Sequence, residues 1–70
     1  MVKQKGPQFV TKYVEATSVQ VGDTALDQIV YARKIYRKRN EDFRRVRLSL
    51  ADGTVREFRE RFRVPVTVEV

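Results

Sequence analysis

The chain has 70 residues, with 15 Lys or Arg against nine Asp or Glu and no cysteine, histidine or tryptophan. A chain of that length forms one small domain, burying only about 60% of its unfolded surface, and this one has no disulfide to staple it. Without His or Cys, the common zinc sites, histidine-based triads and a cysteine nucleophile are excluded, and neither a metal nor a cofactor is expected.

The charge is unevenly placed. The stretch from Arg33 to Arg47 holds eight basic side chains against Glu41 and Asp42, which is the whole net charge of +6. The rest of the chain balances. The longest apolar run is Ile29-Val30-Tyr31-Ala32, far short of the roughly 20 residues a membrane helix needs. Absent cysteine fits a reducing setting, and a cytoplasmic location with no membrane partner is expected.

In chain order, residues 1–8 carry Lys3, Lys5 and Gly6-Pro7 with no apolar segment behind them. They read as a flexible N-terminal arm rather than a secretory signal, ahead of a single domain over residues 9–70. Phe9 to Val21 is rich in Val, Thr, Phe and Tyr, which suit a pleated surface. Its imperfect alternation predicts a bend near Ala16-Thr17, and Gly22-Asp23 supplies a turn.

Residues 24–39 have two readings. As a helix, Thr24 caps, Asp27 follows three residues on, and Ala25, Ile29, Ala32 and Tyr36 share a face. As a strand, Ile29, Val30, Tyr31, Ile35 and Tyr36 are good formers ahead of a turn at Asn40-Glu41-Asp42. The strand reading is favoured and makes the chain all-β; the helical alternative makes it α+β.

Val46, Leu48 and Leu50 alternate with Arg45, Arg47 and Ser49, the pattern of a half-buried strand, and Asp52-Gly53 signals a hairpin. A two-residue loop pairs Leu50 with Val55 but sets Val46 opposite Arg59. A three-residue loop with Gly53 left-handed pairs Leu50 with Thr54, Arg47 with Glu57, Val46 with Phe58 and Arg44 with Glu60. The second register joins opposite charges and apolar partners, and is preferred. Phe58, Phe62, Val64, Val66, Val68 and Val70 then share one parity, with Arg59, Arg61 and Arg63 on the other as a solvated strip. Pro65 cannot donate to a ladder, so the last strand, or its Pro65 end, is expected at an edge.

This order resembles the SH3-like small β-barrels, of the kind met in phage and actinobacterial proteins. The residues that carry the likeness are Val19-Gln20-Val21-Gly22-Asp23, Val46 to Thr54 across the hairpin, and Val64-Pro65-Val66-Thr67-Val68. The resemblance implies a barrel of four to five antiparallel strands, with the second motif as the distal hairpin and the third as the closing strand. The aromatic and acidic groove of peptide-binding members is not recognisable here.

The basic strip points to nucleic acid or another polyanion, with Arg33, Lys34, Arg37, Lys38, Arg39, Arg44, Arg45 and Arg47 as phosphate contacts and no base readout. Tyr31, Tyr36 and Phe43 lie among these charges. Strand alternation sends Tyr31 and Tyr36 to opposite faces, so at least one belongs to the core, and Tyr36 is the candidate for stacking on bases. The competing reading is a protein-interaction or inhibitor module. It would pair an edge strand bearing Val64, Val66 and Val68 with a partner or a second copy, or dock on an acidic surface. Catalysis is not expected. Asp23 and Asp52 are explained by turns, Glu57 and Glu60 by arginine partners, and three glycines make no phosphate cradle.

Overall fold

A computed structural model describes residues 8–70; apart from Gln8, the expected flexible arm lies outside them. The chain is all-β. Six antiparallel strands run as β1 (Phe9–Glu15), β2 (Thr24–Ala25), β3 (Gln28–Tyr36), β4 (Arg45–Leu50), β5 (Val55–Arg59) and β6 (Arg63–Glu69). They form one sheet in the order β1-β6-β2-β3-β4-β5. The all-β expectation holds, but there are six strands where four to five were expected, and the sheet is open, with β1 and β5 at its two ends, and does not close into a barrel.

The expected bend after β1 is a 3-10 turn, Ala16–Ser18. It docks on the β5–β6 connection, where the Ala16 amide donates to the Phe62 carbonyl at 2.8 Å. Gly22 then turns with φ +97, and the Asp23 carboxylate accepts from the Gln20 amide at 2.8 Å. Residues 24–39 are not helical. They make a tight hairpin, in which Ala25 pairs with Gln28 across Leu26 and Asp27, both at positive φ (54 and 65). Two consecutive left-handed residues give the turn whose twist suits a two-residue hairpin.

β3 serves two partners. Ile29 pairs with Thr24 of β2, while Val30 to Tyr36 pair with β4. The register shifts between Val30 and Ala32, so Tyr31 is an extra residue, a β-bulge. Beyond the bulge, Arg33 and Ile35 point inward beside Leu48 and Val46, while Ala32, Lys34 and Tyr36 face out. This overturns the expected alternation. Tyr31 stands exposed on the bulge and Tyr36 lies on the outer face, so neither belongs to the core.

The distal hairpin adopts the preferred register. Val46 faces Phe58, Arg47 faces Glu57, and the Leu50 amide donates to the Thr54 carbonyl at 2.9 Å. Gly53 takes φ +91, and the Asp52 carboxylate holds the Thr54 amide and hydroxyl at 3.0 and 2.6 Å. Those two bonds keep the Asp52 carboxyl below its ordinary pKa, the hydroxyl contributing most.

β6 is an inner strand between β1 and β2, which corrects the expectation of an edge along its length. Its pairing with β2 covers only Val66 and Thr67. Pro65 follows, accepting from the Leu26 amide at 3.0 Å with no N–H to return. The ladder thus stops at the proline. Val64 and Val66 lie in the core with Ala16, Val19, Ala25, Val30, Val46, Leu48 and Leu50, and Val68 packs against it. Each fully buried valine or leucine stabilises by about 1.5–3 kcal/mol relative to exposure.

Candidate nucleic-acid interface

The outer face of β3, β4 and β5 is a grid fixed by register. Tyr36, Arg45 and Arg59 make one row, Lys34, Arg47 and Glu57 the next, and Ala32, Ser49 and Val55 the third. The alternation that buries Val46 and Leu48 therefore turns Arg45 and Arg47 to solvent. The connection from β3 to β4 carries Arg37, Lys38 and Arg39, all exposed, past the end of this grid.

Three of the arginines are already paired. The Arg45 guanidinium donates both Nε and Nη2 to Glu41, at 2.8 and 2.6 Å. Arg47 donates to Glu57 at 3.0 and 2.9 Å, and Arg44 to Glu60 at 3.0 Å. Glu41 is held below its ordinary pKa chiefly by the Arg45 hydrogen bond. Glu60 is held down first by the Arg44 amide and then by its guanidinium. Glu57 is lowered by the Tyr36 hydroxyl first and by Arg47 next.

The Tyr36 hydroxyl is covered from solvent. Its contact with Glu57 is loose and falls short of good hydrogen-bond geometry, yet Glu57 as an acceptor still raises the phenol above its ordinary value. The Arg47 guanidinium sits over the Tyr36 ring at 5.2 Å, so that ring face is taken. The Phe43 ring also carries guanidinium groups, Arg59 at 4.4 Å and Arg45 at 5.3 Å from its centroid. These rings hold arginines in place through cation–π attraction rather than standing open for bases.

Lys34, Arg37, Lys38, Arg39 and Arg59 take part in no ion pair among the described residues. Two of them act on the paired glutamates. The charge of Lys38 helps lower both Glu41 and Glu57, and that of Arg59 helps lower Glu41.

Compared with known proteins, the chain matches no family model, no curated protein and no solved structure. The site therefore stands on its own geometry.

Of the expected contacts, Lys34, Arg37, Lys38, Arg39, Arg44, Arg45 and Arg47 lie on or beside one face. Arg33 does not. The bulge turns it inward, where its guanidinium donates to the Thr17 carbonyl at 2.9 Å and its covered Nε has no partner. It ties β3 to the 3-10 turn and is withdrawn from the set of phosphate contacts. The valine interface is corrected as well: Val64 and Val66 are 0% and 4% exposed on an inner strand and present nothing to a partner. Arg59 was missed by sequence reasoning, which placed it in the solvated strip. The signal was present, because the preferred hairpin register, carried one pair beyond Val46 and Phe58, sets Arg59 beside Arg45. Among the described residues no helix is long and apolar enough to cross a membrane.

Proposed function

We propose that this chain is a non-enzymatic nucleic-acid-binding module that grips the phosphate backbone with Lys34, Arg37, Lys38, Arg39 and Arg59. The observation that carries the reading is that these five cations, on the outer face of β3 and β5 and in the β3–β4 connection, enter no ion pair among the described residues. Like charges held together repel in the folded state, and a polyanion relieves that repulsion. Each phosphate contact releases counterions, so affinity falls steeply with salt.

The grid offers no constellation for base readout and its two rings are occupied by guanidinium groups, so binding follows charge and shape over sequence. Tyr36 holds Arg47 in this reading and does not stack on bases. Kinship with the SH3-like small barrels, a cytoplasmic setting and an accessory or regulatory role, as in a phage protein, belong to the same proposal. They are supported by the distal hairpin and by the absence of cysteine.

Fluorescence anisotropy with single-stranded and duplex DNA and RNA at about 50 and 200 mM salt tests it, since phosphate contacts lose most affinity over that range. Micromolar binding that collapses at the higher salt is expected, with little dependence on sequence. Reversing Arg37, Lys38 and Arg39 together to Glu should abolish it. No binding at the lower salt, or undiminished binding by the reversed variant, would overturn the reading.

A further inference from the structure

The two strands that end the sheet are unlike. β5 sets Arg56, Glu57 and Arg59 within its five residues, and charged side chains along an edge oppose the addition of another strand. β1 carries only Lys12 and its terminal Glu15, and on its outer face Phe9 and Tyr13 are each 60% exposed on either side of Thr11. The basic rim lies at the opposite end of the sheet.

The hydrogen-bond phase of β1 is fixed. The Val70 amide donates to the Gln8 carbonyl at 2.9 Å, and the pairs Val10–Val68, Lys12–Val66 and Val14–Val64 keep that phase. Even-numbered residues thus spend their backbone groups on β6, and Phe9, Thr11, Tyr13 and Glu15 aim theirs away from the sheet. The Tyr13 carbonyl accepts from the Arg63 guanidinium at 3.1 Å, which shows that it points away from β6, and pairing with a second copy would exchange that side-chain donor for the Phe9 amide.

We propose that β1 pairs antiparallel with β1 of a second copy about a two-fold axis at Thr11. This register brings Thr11 against Thr11, Phe9 against Tyr13 of the second copy, and Val10 against Lys12. Every bonded pair uses outward-facing groups, and aromatic and threonine cross-strand pairs are favourable. An axis at Lys12 would instead set two lysines opposite each other in the narrow, non-bonded pairing, where like charges destabilise. An axis at Tyr13 would leave Phe9 opposite Thr17, beyond the end of the strand. Around Thr11 the joined edges meet without like charges facing. The basic strands of the two copies lie at the far ends of the joined sheet, so screening weakens the repulsion between the two +6 chains.

Sedimentation velocity over a concentration series, with Thr11→Glu and Thr11→Lys beside the unaltered chain, decides the matter. The unaltered chain is expected at twice the chain mass. Each variant should fall to the chain mass, because two like charges then face each other across the axis. Mixing the two variants should restore the doubled mass. Thr11 is exposed and gives no backbone bond to β6, so far-UV circular dichroism should be unchanged. Thr11→Pro, which removes an outward N–H and no bond to β6, provides a charge-free second variant with the same expected loss, its fold checked by the same circular dichroism because proline also constrains the backbone at Val10. A monomeric unaltered chain at every concentration, a dimeric Thr11→Glu, or a mixture that stays monomeric would overturn the proposal.

Discussion

The β3–β4–β5 half of the sheet and the β1–β6–β2 half bury the same kind of side chain and expose different ones. Inside, Val46, Leu48 and Leu50 of one half meet Val64, Val66 and Ala25 of the other in a common core. Outside, the first half shows Lys34, Arg45, Arg47 and Arg59. The second shows a row of threonines, Thr11, Thr67 and Thr24, flanked by Tyr13, Pro65 and Ile29. Strand alternation decides which residues are buried, but places no demand on the outward set beyond polarity or tolerance of water. The outer faces are therefore where two halves with one core can take up different tasks.

The shared core gives the largest expected effect. Leu48 is fully buried, paired across the sheet with Arg33 and with exposed Arg56, and Leu48→Ala should cost about 2–5 kcal/mol. That is a large share of the stability of a domain this small. Thermal melts followed by tyrosine fluorescence and by circular dichroism should fall together. Separate transitions would mean that the halves fold as independent units.

A smaller effect sharpens the electrostatic side of the comparison. Glu41 and Glu57 occupy Arg45 and Arg47, and Glu41→Gln with Glu57→Gln should release both for phosphate. Anisotropy titrations should then show tighter binding and a salt dependence steeper by about 0.9 per arginine recruited. An unchanged slope would restrict the contact surface to the loop cations. Lys12→Glu, in the other half, should leave the same titrations unaltered.

The smallest effect is on pH. Glu41, Glu57 and Glu60 are all depressed in the folded state. Such groups contribute stability that is fully present above the unfolded value, about 4.3 for Glu, and is lost as pH falls through the folded one. Melting temperature should hold level down to about pH 5 and decline below it, and Glu41→Gln with Glu57→Gln should flatten that decline. Melts that decline just as steeply in the double variant would locate the acid sensitivity elsewhere.

Legibility from sequence followed the same division. The distal hairpin could be read to the residue because Gly53 fixes the turn and two Arg–Glu pairs fix the register, all within a short span. The β2–β3 hairpin was hidden, since its turn uses Leu26 and Asp27 where glycine or asparagine is the usual mark. The place of β6 was half legible. Pro65 does end a ladder, but the β1–β6 pairing that makes β6 an inner strand joins residues far apart in the chain and leaves no local trace. Of the candidate site, the loop cations and the β4 arginines were readable from composition and alternation. Arg33 was misplaced because nothing in Ile29-Val30-Tyr31-Ala32 announces an extra residue.

That extra residue has a consequence for how the gene can vary. β3 is read in two frames, one on each side of Tyr31, and only the shift between them puts Ile35 in oil and Lys34 in water. Loops usually absorb the gain or loss of a codon. Here a strand can do the same: loss of the single codon at Tyr31 would take out the bulge and leave Val30 and Ala32 in plain alternation, with Arg33 and Ile35 still inward and Lys34 and Tyr36 still outward. One residue can leave this strand without turning its far end over.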